Sequence, residues 1–344
     1  MEMLHRLRSS ARTLLKGEPQ KRSRGIIPAI TPAEIAEIKQ FFPRSKFFIF
    51  GHARSGTTLL VRLVRLHPEV HCNYQAHFFS RRPLLKSLVN TPEAEEWLTR
   101  KSNRWNHGRD LSAVMLRAAA DFVMEREAIQ EGKPIVGDKS PLSVIHGQAV
   151  REMASIYPDA RLIYIVRDGR DVLVSERFRN FVEESKFLTG EDRRIIEELR
   201  RNQNAFGSGK RSLFTASFIR RLAAGWAEDV TQVESEARRL YPQSFLALRY
   251  EDLLEDPQTE MSNVWRFLGA KEMDAPLGKR IQEEMVSNPD EEWQSRRNED
   301  IASFLPKGQM GNWRNLFTPA DKALFKQVAG ASLIRWGYEQ NEDW

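Results

Sequence analysis

A nearly all-apolar run, Lys46-Phe-Phe-Ile-Phe-Gly51, leads directly into a loop with two glycines and then into a helical pattern. A short run of this kind, ended by glycine, is typical of a strand that is buried on both faces. The loop, Gly51-His-Ala-Arg-Ser-Gly-Thr-Thr58, places its second glycine where a helix over Thr57–Leu66 is expected to begin. Because such a strand needs helices above and below it, the segment predicts an α/β protein with a parallel sheet.

The rest of the chain repeats this alternation of buried strands and helices. Further apolar runs lie at Pro134–Gly137, Leu162–Val166 and Ser244–Leu248. The other helical patterns cover Thr31–Phe41, Asp110–Ile129, Leu142–Ile156, Asp171–Phe178, Ser217–Leu240 and Pro257–Leu268. We therefore expect a three-layer α/β fold in which a central parallel sheet is flanked by helices.

Length and composition limit the class of protein. A chain of 344 residues suits one large domain or two small ones, and 41% hydrophobic with 29% charged residues excludes a disordered or fibrous protein. No stretch approaches the roughly 18–20 apolar residues that cross a bilayer. A single cysteine excludes a disulfide scaffold and a Cys-rich metal module, and it favours a reducing, cytoplasmic location.

Basic residues are concentrated near the N-terminus, within a net charge of +6. Residues 1–30 are interpreted as a basic arm with leucines at helical spacing, either solvated or in peripheral contact with an anionic membrane. Residues 31–344 are expected to form a single α/β domain with a helical or loop insertion at about 181–215. Nucleic-acid binding is not expected, because the aromatic residues lie mostly in apolar runs. No oligomeric state is predicted.

The loop after the first strand has the features of a phosphate-binding loop. Its backbone N–H groups and the positive end of the following helix would converge on an anion. The spacing of Gly51 and Gly56 matches the loop of nucleoside triphosphatases, except that Thr57 stands where those enzymes have lysine. With Arg54 as the loop cation instead, the sequence favours a single 5′-phosphate that bears a transferable group over a hydrolysed triphosphate.

A second anion site is indicated at the end of another strand. Arg161-Leu-Ile-Tyr-Ile-Val-Arg-Asp-Gly-Arg-Asp171 places Arg167 at the carboxyl end, where open parallel sheets bind ligands. Ser175 lies one helical turn beyond Asp171, so Arg167 and Ser175 together could clamp a second phosphate. The alternative is a turn held by its own salt bridges.

These segments resemble the PAPS-dependent sulfotransferase family, whose donor is 3′-phosphoadenosine 5′-phosphosulfate (PAPS). Ala53–Thr58 looks like its 5′-phosphosulfate loop, and Ile165–Asp171 with Ser175 looks like its 3′-phosphate motif. Arg249–Leu253 and Phe304–Gly308 are similar to further cofactor segments of the family. The resemblance implies a P-loop-like sulfotransferase fold and transfer of a sulfuryl group from PAPS to a hydroxyl or amine, with release of PAP and without a metal. The acceptor would be a small molecule, a lipid or a carbohydrate.

The resemblance also implies roles for individual residues. Cofactor contacts are expected from Arg54, Ser55, Gly56, Thr57, Thr58, Arg167, Ser175, Tyr250, Lys307 and Gly308. Arg54 and Lys139 are expected to act in catalysis, beside the leaving group. Pro306 departs from the Arg-Lys-Gly that is common in the family's C-terminal loop, which leaves one 3′-phosphate contact to be supplied elsewhere.

The proton acceptor does not follow the family's patterns. Pro141 stands where cytosolic members carry a catalytic histidine, and Gln75 stands where other members carry a glutamate. Glutamine cannot act as a base. His77 is therefore the expected general base, since a neutral histidine titrates near the working pH. Asp138 and His146 are the alternatives.

Other interpretations stay open at this point. One is a P-loop nucleotide kinase or NTPase, which Thr57 in place of lysine disfavours. Another is a sulfotransferase-like binding protein without activity. A metal site built from His67, His71, Cys72 and His77 is disfavoured, because Pro68 disrupts the helix that would align the first two. No metal is expected.

Overall fold

A computed structural model describes residues 26–142, 146–183, 188–272, 275–287 and 309–344. Within these ranges the strands are β1 (Ser45–His52), β2 (Val70–Tyr74), β3 (Ile135–Leu142), β4 (Arg161–Val166) and β5 (Phe245–Arg249). The helices are α1 (Pro32–Lys39), α2 (Thr57–Val64), α3 (Pro92–Thr99), α4 (Ser112–Gln130), α5 (His146–Ile156), α6 (Gly169–Glu183), α7 (Gly190–Arg201), α8 (Gln203–Gly207), α9 (Ala216–Leu240), α10 (Tyr250–Glu255), α11 (Pro257–Leu268), α12 (Ala275–Val286), α13 (Trp313–Leu316) and α14 (Pro319–Arg335). A 3₁₀ helix covers Leu85–Val89.

The five strands form one sheet in the order β2-β3-β1-β4-β5, and every pairing is parallel. β1 lies at the centre, hydrogen-bonded to β3 on one side and to β4 on the other. The predicted α/β class with a parallel sheet is confirmed. Because the chain order reverses around β1, a crevice for ligands is expected at its carboxyl end.

The strand β2 and the end of β3 differ from the sequence prediction. β2 was not predicted, because Val70-His-Cys-Asn-Tyr74 mixes polar and apolar residues; it lies at the sheet edge and pairs with β3. β3 continues to Leu142, where a helix was expected to begin, because β1 offers it a partner as far as His52. The following helix starts at His146 instead.

Two apolar clusters cover the two faces of the sheet and give the expected three layers. Phe48 and Phe50 of β1 belong to the first cluster, together with side chains of α4, α5, α6, α9 and α14. Phe47 and Ile49 belong to the second cluster, together with side chains of α2, α11 and α12. Successive side chains of a strand point to opposite faces, so a strand between two helical layers must be apolar throughout.

The predicted insertion contains two helices, α7 and α8, in its described part. Leu199 of α7 and Phe206 of α8 are buried in the first cluster, so this region packs onto the domain. Its status as an insertion stays a prediction.

Residues 1–25 of the predicted basic arm lie outside the described residues. Ile30 is buried in the first cluster, and its N–H donates to the carbonyl of Ser155. Across the described ranges, no helix is both long enough and apolar enough to pass through a bilayer.

Candidate functional site

The loop after β1 has the conformation that its two special positions require. Arg54 and Gly56 have positive φ, at 71° and 85°, and the N–H of Ser55 donates to the carbonyl of His52. Gly56 is the N-cap of α2, which begins at Thr57. The side chains of Arg54 and Thr58 are exposed, whereas those of Ser55 and Thr57 are buried. The loop therefore presents a cation and a hydroxyl beside a helix N-terminus, which is an anion-binding arrangement.

The two predicted anion sites meet in the structure. Nε of Arg54 donates to Oγ of Ser175 over 3.0 Å. Arg167 donates from Nη1 to the carbonyl of Arg54 over 3.2 Å, and from Nη2 to the carbonyl of Gln309 over 2.9 Å. The phosphate loop, the end of β4 and the first turns of α6 thus form one continuous site.

Two buried polar atoms of this site lack a hydrogen-bond partner in the described part of the chain. They are Oγ of Ser55 and Nε of Arg167. The guanidinium of Arg167 is bonded to carbonyl oxygens, and its side chain makes no ion pair with a carboxylate in the ranges described. A buried cation with an unused donor is costly unless an anion binds there, so the site fits a ligand that carries phosphate groups.

Tyr250 packs against the phosphate loop. Its ring lies against Gly56, where an added Cβ would be 2.2 Å from the ring carbon Cδ2, and the Arg167 guanidinium lies 4.7 Å from its centroid. Trp226 of α9 covers Gly169 on the other side, and its Nε1 donates to the carbonyl of Arg167 over 3.1 Å. Tyr250 is 4% exposed, so its predicted contact with a cofactor stays a prediction, while its packing role is visible.

Lys139 reaches the loop from β3. Its Nζ donates to Oγ1 of Thr58 over 3.3 Å and lies 5.8 Å from the ring centroid of Tyr74. Burial lowers the pKa of Lys139, and nearby Cys72 and Asp138 oppose that effect. The ammonium therefore stands at the first turn of α2, next to the loop between β1 and α2.

The turn that carries His77 is held by Asp138. Gln75 and His77 both have positive φ, at 58° and 55°. Oδ1 of Asp138 accepts from the N–H of Ala76, Oδ2 accepts from the hydroxyl of Ser140, and that hydroxyl oxygen accepts from the N–H of His77. Burial raises the pKa of Asp138 to about 6. Asp138, which the sequence also offered as a base, is thus engaged in supporting a strained turn.

His77 is partly buried at this turn. Its Nδ1 lies 3.0 Å from Oγ of Ser80, a buried hydroxyl. Burial lowers the pKa of His77, with smaller contributions from Arg81 and Lys139. The ring is therefore neutral near pH 7, as a general base must be.

Some predicted residues lie outside the described ranges. These are Lys307 and Gly308, and for His146 the side chain is not described. The chain that follows Gly308 is anchored at the site, because Asp171 accepts from the N–H of Gly311 over 2.6 Å and from that of Trp313 over 3.1 Å. The described chain from Gln309 onward therefore lies beside Arg167, and the cofactor contacts of Lys307 and Gly308 stay a prediction.

The candidate metal ligands are engaged in other contacts. His71 pairs with Glu131 through Nδ1 and with Asn73 through Nε2, and His67 contacts Lys271 and Glu69. Burial raises the pKa of Cys72 well above its usual range, so its thiol stays protonated. Over the residues that the structure describes, no group of three or more His, Cys, Asp or Glu side chains is arranged to hold a metal.

Comparison with known proteins decides the family. A model of the sulfotransferase family matches residues 45–274, which is more than half of the chain. The chain belongs to the sulfotransferase family. The matched range begins at β1 and contains the phosphate loop, Lys139, Arg167, Ser175 and Tyr250, so the resemblance drawn from these motifs is confirmed.

Individual members of the sulfotransferase family are distant. The protein-tyrosine sulfotransferase of Drosophila melanogaster is 26% identical over 70% of this chain and 41% of its own length. Protein-tyrosine sulfotransferase A of Caenorhabditis elegans is 23% identical over 64% of this chain and 49% of its own. The chain thus spans less than half the length of these two relatives. The mouse sulfotransferase SULT7A1, solved as a complex with PAP, aligns over 88% of this chain and 90% of its own, with 18% identity and a TM-score of 0.46.

Some residues of this sulfotransferase-family site were not predicted to function. Trp226 and the anchoring role of Asp171 depend on contacts across the fold and leave no local pattern. His52 stands inside the loop motif and pairs with Asp229 of α9 over 3.0 Å. The sequence signal that could have identified His52 was its position between the apolar run of β1 and Arg54.

Proposed function

We propose that this chain transfers a sulfuryl group from PAPS to a hydroxyl or amine of an acceptor and releases PAP. The observation that carries the proposal is the contact between Arg54 and Ser175, because it joins the two anion sites into one. PAPS has two phosphate-bearing ends, a 5′-phosphosulfate and a 3′-phosphate. A single ligand of this kind would engage both sites at once.

Individual residues are assigned by what they present to the site. The 5′-phosphosulfate would be held by the loop from Arg54 to Thr58 and by the N-terminus of α2. The 3′-phosphate would be held by Arg167 and Ser175, with further contacts expected from Lys307 and Gly308. The unpartnered Nε of Arg167 offers a further donor to the same phosphate.

The transfer needs stabilisation of the leaving group. When the bond from sulfur to the bridging oxygen breaks, negative charge collects on that oxygen. Arg54 and Lys139 are the cations next to the loop, and Lys139 is already oriented by Thr58. A lysine of this kind donates to the developing charge without a metal, so we propose a metal-independent reaction.

The acceptor is proposed only as a class. Two relatives are named for protein tyrosine, whose phenol hydroxyl is one acceptor of this class. A small molecule, a lipid or a carbohydrate stays our proposal for the acceptor. We further propose a cytoplasmic location, with the basic arm as a point of peripheral contact with an anionic membrane.

Transfer of radiolabelled sulfur from PAPS tests the proposal. The purified chain is incubated with labelled PAPS and phenol, tyrosine-peptide and sugar acceptors, and PAP release is followed in parallel. Arg54→Ala should weaken PAPS binding and slow transfer, because in this proposal the guanidinium contacts the leaving group. Exposed Arg238→Ala on α9 serves as the control. Full transfer by the Arg54 variant would contradict the assignment of the loop.

A further inference from the structure

His52, the last residue of β1, lies directly before the phosphate loop and pairs with a buried carboxylate. Its Nδ1 is 3.0 Å from Oδ2 of Asp229, which projects from α9. The side chain of Asp229 is 1% exposed and that of His52 is 17% exposed. The same helix carries Trp226, one turn earlier, which bonds to Arg167. The pair therefore belongs to the framework of the site.

The carboxylate determines which nitrogen of His52 carries the proton. An ionised carboxylate only accepts hydrogen bonds, so Nδ1–H donates to Asp229 and Nε2 of the neutral ring keeps its lone pair. Within the described ranges the imidazole of His52 makes no other hydrogen bond. The arrangement is that of a base whose tautomer and orientation are fixed by an acidic partner.

Strand alternation places the side chain of His52 on the face of the sheet opposite α2, the helix that follows the phosphate loop. Phe48 and Phe50 face the first cluster, and His52 follows at the same two-residue spacing. α2, whose N-terminus faces the phosphate position, packs in the second cluster. In an in-line transfer, the acceptor approaches the sulfur from the side away from the leaving oxygen. To act as a base, His52 must face that side.

His77 is the competing imidazole, and its surroundings suit the role less well. Its Nδ1 is paired with the neutral hydroxyl of Ser80, so no carboxylate stabilises the imidazolium that proton transfer would create. Its neighbours Arg81 and Lys139 are cations, which disfavour a second positive charge. At His52, by contrast, Nδ1 contacts the carboxylate of Asp229.

We propose that His52 is the catalytic base of this site and that Asp229 is its positioning residue. The inference rests on the proposed sulfuryl transfer. The O–H bond of the acceptor breaks and its proton moves to Nε2 of His52, while the acceptor oxygen forms a bond to sulfur. The bond from sulfur to the 5′-phosphate oxygen breaks, and PAP leaves with that electron pair. The proton on His52 then passes to solvent.

A series of phenols with increasing acidity tests this assignment. PAP release from PAPS is measured for wild type, H52Q, H77Q and surface H107Q, first with phenol and then with nitrophenols, which ionise more readily. H52Q should lower kcat for phenol by about 10²–10⁴-fold, the usual contribution of a general base. The loss should shrink as the phenol becomes more acidic, because an ionised acceptor needs no base. H107Q should turn over as wild type does.

PAP affinity separates failure of this inference from failure of the proposed function. H52Q that binds PAP as wild type does but turns over slowly supports the assignment. Full turnover by H52Q, loss of PAP binding by H52Q, or a larger, acidity-dependent defect in H77Q would each overturn it. Wild-type chain that binds no PAP would instead remove the proposed function.

Asp229 is tested by the pH profile. Asp229 is the charged group in contact with His52 among the described side chains; Tyr164 of β4 lies near that carboxylate, and burial raises its pKa well above its usual range, so it stays neutral. Arg54 follows two residues later along the loop. D229N should lower kcat/KM. The rise of kcat/KM with pH should also move to lower pH, because the imidazolium loses its anionic partner. D229E should recover part of both. A purely structural Asp229 would leave the position of the profile unchanged.

Discussion

At the scale of single residues, two neighbouring arginines show what separates a binding group from a structural one. Arg170 pairs with Asp168 over 2.7 Å and with Glu339, and it stacks on Trp313 with its guanidinium carbon 3.6 Å from the ring centroid. Its charge is satisfied within the protein. Arg167 bonds to carbonyl oxygens and keeps an unpartnered Nε. Because both carry the same side chain, only the partners distinguish them, and these point to Arg167 as the anion binder.

The raised pKa of Asp138 predicts how the stability of the fold changes with pH. Its pKa is raised from 3.8 to about 6 by burial, so the folded state holds the proton more tightly than the unfolded chain does. The stability that protonation contributes is present below about pH 4 and is lost as pH rises through about 6. The loss is at most about 3 kcal/mol, from roughly two pKa units.

Asp138→Asn is neutral at every pH and keeps an acceptor for the N–H of Ala76. The free energy of unfolding of this variant, measured in urea between about pH 4 and pH 7, should lack the part of the decline that Asp138 causes. Identical pH slopes for variant and wild type would show that the carboxyl titrates normally.

At the scale of elements, the helix α9 positions Arg167 through Trp226. A matched residue exists in the other core cluster, since buried Trp265 of α11 donates to the carbonyl of Val64 over 3.2 Å. Trp226→Phe and Trp265→Phe should each destabilise the fold by about 0.5–3 kcal/mol, because each loses a buried hydrogen bond to a backbone carbonyl. Only Trp226→Phe should also weaken PAP binding, since the carbonyl to which Trp226 donates is that of Arg167. Calorimetric titration with PAP distinguishes the two, and equal affinity in both variants would count against this role of α9.

The turn from β1 into α2 supports a second prediction. Gly56→Ala would combine a positive φ of 85° with a Cβ placed 2.2 Å from the Tyr250 ring. Gly132 has a φ of 68° with nothing within 4 Å, so Gly132→Ala measures the backbone strain alone, about 1–2 kcal/mol.

Thermal unfolding should show a larger loss for Gly56→Ala than for Gly132→Ala, and adding Tyr250→Ala should recover part of the difference. If the two alanine variants lose the same stability, the ring does not support the loop.

At the scale of the whole molecule, the sequence predicted the central strands and the ligand edge because these depend on local patterns. β1 and β4 are continuous apolar runs, and the loop between β1 and α2 carries its glycines at fixed positions. The edge strand β2 was missed because its pairing with β3, not its composition, makes it a strand. His52 with Asp229 was missed for the same reason, since the two are 177 positions apart in sequence.

The two anion sites are proposed to form one site for PAPS. The most direct measurement is the Tm of wild type and Arg167→Ala with PAP, PAPS or ATP, each with and without Mg²⁺. A ligand that binds the native state at about 100 times its Kd adds about 2.7 kcal/mol of stability. We predict that PAP and PAPS raise the Tm of wild type without Mg²⁺, that ATP raises it little, and that Arg167→Ala loses most of the effect. Stabilisation by ATP only with Mg²⁺, or no shift with PAP or PAPS, would contradict the claim.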